Sequence, residues 1–105
     1  MVVVGKEEDM IPGSVSKLTE SQTASGPVIK AATDVLKVTG STAIQTITPG
    51  LGIAQSQFLI LIPTDGPLVL GTSGNIAVGI TAERNRAVFL AYVRTMGKWV
   101  IQSGV

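Results

Sequence analysis

The chain has 105 residues, of which 45% are hydrophobic and only 14% are charged. This length suits one domain with a modest hydrophobic core, and the formal net charge of +1 gives no basic field that would attract nucleic acid. Ordinary soluble domains are charged at about a quarter of their positions. The low charged fraction therefore indicates that part of the surface is covered by a membrane or by other protein.

Residues 1–30 are predicted to form an extended N-terminal arm, because they are polar, irregular and interrupted by Gly and Pro. A disordered leader is the alternative interpretation. The arm carries isolated hydrophobic residues that are candidates for binding a partner: Val2, Val3, Val4, Met10 and Ile11. We expect the arm to serve attachment or subunit exchange, and a β-domain of residues 31–105 to fold without it.

A membrane is the weaker explanation for the apolar composition. No apolar run in the chain approaches the roughly 20 residues of a spanning helix. The N-terminus turns acidic at Glu7, Glu8 and Asp9, whereas a signal peptide begins with basic residues and continues with a longer apolar stretch. We therefore expect burial against protein partners, with no membrane or nucleic acid among them.

From Val28 onward, β-branched segments separated by Gly and Pro turns predict strands. The predicted strands are residues 35–38, 42–48, 58–62, 68–70, 75–80, 87–93 and 99–101. The spacing of three between Ile44 and Ile47 predicts a bulge or bend. Residues 58–62 are all apolar, which predicts that both faces of this strand are covered. Alternation in residues 75–80 predicts that Ile76, Val78 and Ile80 share one buried face.

Residues 82–96 allow two interpretations. Ala, Glu, Arg, Leu and Met are good helix formers, whereas Val88, Phe89, Tyr92 and Val93 favour a strand, which is the prediction adopted. Strands at spacings near ten residues then predict an all-β fold. We expect a small antiparallel β-sandwich, or a barrel-like (jelly-roll-like) domain, with the extended N-terminal arm attached.

The inventory of reactive side chains argues against an enzyme. The chain has neither His nor Cys, so the usual general base, the commonest metal ligand and the thiol nucleophile are missing. The acidic run at residues 7–9 lies in the predicted arm, where it cannot form a rigid carboxylate pair. Ser14 and Lys17 match an S-x-x-K pattern without its companion motifs. We predict no catalytic residue, cofactor or metal site.

Two further features have a structural and a functional interpretation. Trp99 could stack on a ligand, but a lone Trp near a chain end more often packs on a small core, which is the prediction here. Arg84, Arg86, Arg94 and Lys98 form a mild basic group, and a solvated hairpin face is the preferred interpretation. The absence of cysteine favours assembly inside a cell.

Several turns and hydrophobic positions together resemble a β-rich module found in virion proteins of tailed bacteriophages, in tail fibres and in capsid-decorating proteins. Such modules carry a T-G-x-T-x-I-x-x-I segment, a buried strand, a G-N-I turn and a closing G-x-x-W hairpin. The matching segments here are residues 38–47, 58–62, 67–70, 74–76 and 98–101. The hairpin has one residue fewer between Gly97 and Trp99, which makes the turn tighter.

The resemblance covers about two thirds of the chain and implies a structural virion protein that works as a homotrimer. The short length favours a capsid-decorating or cementing protein over a fibre, which needs a longer shaft. Its implied partners are the major capsid protein and copies of itself, at the capsid surface of a virion assembled in the host cytoplasm. The alternative is a tail-fibre or baseplate module that binds a receptor or carbohydrate through exposed aromatic residues.

Overall fold

The computed structural model describes residues 18–101, which form nine strands and no helix. The strands are β1 (Glu20–Ala24), β2 (Val28–Ala31), β3 (Val35–Thr39), β4 (Thr46–Pro49), β5 (Gln57–Pro63), β6 (Leu68–Leu70), β7 (Ile80–Ala82), β8 (Val88–Val93) and β9 (Lys98–Ile101). The prediction of an all-β fold is confirmed. The preference for a strand over a helix within residues 82–96 is confirmed by β8.

The largest sheet has five strands in the order β1-β3-β5-β8-β9, and the pairs β2-β4 and β6-β7 form two small sheets. β1, β3 and β5 run parallel, whereas β8 and β9 are antiparallel to their neighbours. The β2-β4 pair is also parallel. This departs from the antiparallel arrangement expected from sequence. The reason is that β2 and β4 lie between consecutive strands of the large sheet, so that each return to that sheet restores the same direction.

One hydrophobic core lies between the large sheet and the two small sheets. The large sheet contributes the side chains of one face, including Leu36, Leu59, Leu61 and Leu90. The small sheets contribute alternate residues of their short strands: Ile29, Ala31, Ile47, Leu68, Leu70 and Ala82. This alternation is the period-two pattern of a strand with one buried face.

The domain begins earlier than the sequence predicted. β1 and β2 lie almost wholly within residues 1–30, the predicted arm, and Ile29 belongs to the core. Polar composition concealed β1, because it is an edge strand whose side chains are exposed or half-buried. Removal of residues 1–27 would therefore delete the whole β1-β3 ladder. The rest of the predicted arm, residues 1–17, lies outside the described residues.

The chain bends between Ile44 and Ile47, as their spacing predicted. The backbone N–H groups of Gln45 and Thr46 both donate to the carbonyl oxygen of Pro27, each at 2.9 Å. Two donors opposite one acceptor is the pattern of a bulge. The bend lets both isoleucines point into the core, where Ile44 also bridges to Leu70.

The predicted strand over residues 75–80 is wrong as a continuous element. Ile76 forms an isolated bridge to Trp99, and Ile80 begins β7. Val78 is exposed rather than buried. The chain turns between the two segments because Gly79 passes close to the carbonyl oxygen of Leu70, where a side chain would crowd the backbone.

Asn75 and Trp99 connect the β2-β4 sheet to the edge of the large sheet. The Ile47 N–H donates to Asn75 Oδ1 at 2.9 Å, and Asn75 Nδ2 donates back to the Ile47 carbonyl oxygen at 2.8 Å. The Trp99 indole N–H donates to the same oxygen at 2.8 Å. Gly74 is required beside this junction, because a Cβ atom there would overlap Thr46 Oγ1 and the Gln45 carbonyl oxygen.

We predict that Asn75→Ala destabilises the protein by about 1–3 kcal/mol, because the partly buried Ile47 N–H loses its acceptor. Urea unfolding followed by Trp99 fluorescence measures this loss. Thr48→Ala, at an exposed position of the same strand, is the control and should change the free energy of unfolding by less than about 0.5 kcal/mol. Equal effects of the two substitutions would contradict the proposed role of Asn75.

Candidate interaction surface

The large sheet exposes an apolar face on the side opposite the core. Strand register places Val35 beside Ile60 and Ile60 beside Phe89. In the next row Phe58 is opposite Ala91, which is opposite Val100. We call this set the outer apolar face: Val35, Phe58, Ile60, Phe89, Ala91 and Val100. Its side chains are exposed or half-buried, in contrast to their neighbours along the same strands.

Two aromatic rings dominate the outer apolar face. Phe58 is 80% exposed and Phe89 is 46% exposed. They line a shallow groove of about 250 Å³, and the other described residues that line it, Leu90, Ala91, Val100 and Ile101, are also hydrophobic. Contiguous exposed apolar patches are characteristic of interaction surfaces. The prediction that both faces of strand 58–62 are covered is therefore wrong for the described chain, whose other strands cover the inner face only.

Further exposed hydrophobic residues lie at one end of the large sheet. Leu18 precedes β1, Leu51 and Ile53 lie in the loop before β5, and Met96 lies in the β8-β9 hairpin; all four are exposed. The Arg94 N–H donates to Ser56 Oγ at 3.2 Å, which holds this loop against the hairpin. These residues extend the outer apolar face around the end of the sheet at which β5 begins.

The opposite end of the large sheet is charged and polar. The turn after β5 contains Asp65, which accepts a hydrogen bond from the Gly40 N–H at 2.7 Å. The turn between β7 and β8 contains Glu83, Arg84 and Arg86, all of them exposed. The exposed hydrophobic loop residues thus lie at the end of the sheet where β5 begins, and the loops at the other end expose polar and charged residues.

The four basic residues singled out in the sequence do not form one patch. Arg84 and Arg86 precede β8, whereas Arg94 and Lys98 follow it in the next hairpin. The six residues of β8 separate the two pairs by roughly 20 Å. All four side chains are exposed, in agreement with the preferred interpretation as solvated turn residues.

Trp99 belongs to the core, as predicted. Its side chain is fully buried, and its ring centroid lies 5.4 Å from that of Tyr92 in a tilted arrangement. Because its indole N–H is already bonded to Ile47, Trp99 offers no free edge to a ligand. The exposure of Phe58 and Phe89 was not predicted from the sequence. Both lie in strands with hydrophobic residues on both faces, so periodicity gives no signal for which face is buried.

A second groove carries charged residues. A groove of about 460 Å³ runs between β7 and the start of β8, and Glu83 and Arg86 are its charged lining residues. Within residues 18–101, no three carboxylate, histidine or cysteine side chains come together as metal ligands. The acidic run 7–9, the Ser14 and Lys17 pair, and the partner-binding candidates Val2, Val3, Val4, Met10 and Ile11 lie outside the described residues.

No protein-family model, curated protein or solved structure matches this chain. In the part of the chain that the structure describes, no helix is long and apolar enough to cross a membrane.

We predict that substitutions at two adjacent residues of β5 change the stability of the protein by very different amounts. Phe58→Ser should change the free energy of unfolding by less than about 0.5 kcal/mol, because this ring lies mainly in solvent. Leu59→Ala should cost about 2–5 kcal/mol, because Leu59 is buried in the core. Guanidinium unfolding of both variants measures the difference. A large loss of stability for Phe58→Ser would mean that its ring packs on something in the folded protein.

Proposed function

We propose that this chain is a non-catalytic structural virion protein of a tailed phage, which decorates or cements the capsid as a homotrimer. It acts by burying apolar surface against the major capsid protein and against copies of itself, at the capsid surface of a virion assembled in the host cytoplasm. The observation that supports this proposal is the outer apolar face. The domain has a complete core on one side of its large sheet and a second apolar surface on the other.

The energetics of this face favour a protein partner. Full burial of a side chain such as Phe contributes roughly 1.5–3 kcal/mol relative to exposure. Phe58 and Phe89 lie on neighbouring strands, so one partner surface can cover both. Each contact can be individually weak, because repetition of the coat lattice supplies avidity.

Several residues of the phage-like pattern have structural roles in this fold. Gly74 and Asn75 form the junction to Ile47, Trp99 completes it, and Ile44 bridges to β6. Other residues of the same pattern, Phe58, Ile60 and Val100, belong to the outer apolar face. The pattern thus includes both the junction that holds the two layers together and part of the surface proposed to contact the coat.

A receptor- or carbohydrate-binding module of a tail fibre or baseplate is the second candidate. Its support is that Phe58 and Phe89 are exposed in one groove, as aromatic residues of such a module would be. Against it, the residues that the structure describes contribute no polar side chain to the lining of this groove. Selective recognition of sugar hydroxyls needs positioned hydrogen-bonding groups. The groove chemistry thus favours an apolar protein surface over a sugar.

We predict that the purified chain binds phage particles lacking it, and that Phe58→Ser with Phe89→Ser weakens this binding by at least about 100-fold. Two lost burials of roughly 1.5 kcal/mol or more each account for that factor. Val69→Ser, at an exposed valine of β6 outside the outer apolar face, is the matched control and should bind as the unchanged chain does. Co-sedimentation with the particles measures the affinities.

Cryo-electron microscopy of the source virion distinguishes the two candidates. Density for the chain across the shell supports decoration, whereas density confined to the tail tip would replace this proposal with the fibre or baseplate role. A glycan array provides an independent check. Binding to a defined glycan that Phe58→Ser abolishes would favour the second candidate.

A further inference from the structure

We propose that the groove beside Phe58 and Phe89 is a binding site for an extended peptide of β-branched residues followed by acidic residues. We further infer that residues 2–9 of the same chain occupy it in the isolated subunit. This inference concerns the free protein and does not depend on the capsid role. The groove is the site, and the chain itself supplies a segment of matching chemistry.

The groove selects for hydrophobic side chains on an extended backbone. Its lining consists of hydrophobic residues from three neighbouring strands, β5, β8 and β9. The pleat of such a face leaves depressions between adjacent strands, into which alternate side chains of an extended segment fit. Val2, Val3 and Val4 are β-branched and favour this extended conformation.

Charge complementarity fixes which segment fits. The valines are followed by Glu7, Glu8 and Asp9, the densest acidic run of the chain. Lys98 is in register with Val93 and lies two residues before Val100 on the same face, roughly 7 Å from the groove. Arg94 is exposed in the adjoining hairpin. A segment with its valines in the groove can direct its carboxylates towards these two cations.

The N-terminal segment enters the domain at the end of the large sheet that lies near the groove. The Thr19 N–H and side-chain hydroxyl both donate to Asp34 Oδ2 at 3.1 Å, which anchors the start of β1 next to β3. The backbone carbonyl oxygen of Asp34 accepts a hydrogen bond from the Ile60 N–H, at the end of the sheet near Phe58. From β1 to β8 is three strand spacings, roughly 14 Å. The eight residues from 10 to 17, which connect the bound segment to the domain, reach up to about 28 Å when extended, which is enough for this distance.

The same geometry favours the chain's own segment over that of a second copy. A short flexible tether that spans the required distance gives an effective concentration in the millimolar range. At micromolar protein, a separate copy competes poorly with a segment held at that concentration. Exchange of the segment between copies is thus expected only where subunits are crowded, as in an assembled particle.

The absence of cysteine makes a disulfide test clean, because every thiol is an introduced one. Val2 and Val4 are the alternate residues expected to face the groove, so Val4→Cys is combined with Val100→Cys in the whole chain at micromolar concentration. The control pairs Val4→Cys with Val69→Cys, which lies at a 46% exposed valine outside the groove. Oxidation is followed by non-reducing electrophoresis and mass spectrometry, after Trp99 fluorescence has shown that both variants are folded.

The groove pair should form an intrachain disulfide at least about tenfold faster than the control pair. Equal rates would overturn the inference, and disulfides formed only between chains would replace it with segment exchange. If Val100→Cys fails to fold, Ala91→Cys, which lines the same groove, takes its place. Glu7→Gln, Glu8→Gln and Asp9→Asn together should slow the groove pair several-fold at low salt, and an unchanged rate would overturn the acidic part of the recognition.

Discussion

The fold depends on the hydrogen bonds that Asn75 and Trp99 make to the backbone of Ile47. Among the described strands, none of the large sheet pairs with the β2-β4 sheet. The side chains of Asn75 and Trp99 instead bond to the N–H and carbonyl groups of Ile47 in β4, as a neighbouring strand would. Backbone groups at the margin of a core are costly when they lack partners. This junction shields the inner face of the large sheet from water at its β9 edge, where the buried side chain of Trp99 fills the space next to β4.

The parallel strands follow from the route that the chain takes between the two layers. Each of the first two connections in the large sheet passes through a strand of the opposite layer, β2 or β4, before returning. Such crossings bring backbones close together, which explains the glycines at the crossing points. A Cβ atom on Gly50 would overlap the Ala31 carbonyl oxygen, as one on Gly74 would overlap that of Gln45. Gly50 and Gly74 look like ordinary turn residues in the sequence, but the two layers can pack together only because these positions carry no side chain.

Closing the core on one side leaves the large sheet with an apolar outer side. The described strands form two layers, and Phe58 and Phe89 lie on the side of the large sheet that these layers leave exposed. This exposed apolar side is in keeping with the low charged fraction of the chain, which is 14%.

Composition and periodicity were sufficient to predict the all-β class, the strands around residues 35–38, 58–62 and 68–70, the bend after Ile44 and the burial of Trp99. These features follow from local preference and from alternation along single strands. Sequence could not show strand direction, nor that polar β1 pairs with β3, because pairing is a contact between distant segments. Hydrophobic residues occupy both faces of strand 58–62, so the sequence does not show which face is buried, and only the tertiary structure decides it. Here the described strands cover Leu59 and Leu61 and leave Phe58 exposed to solvent, because the second layer lies on one side of the large sheet.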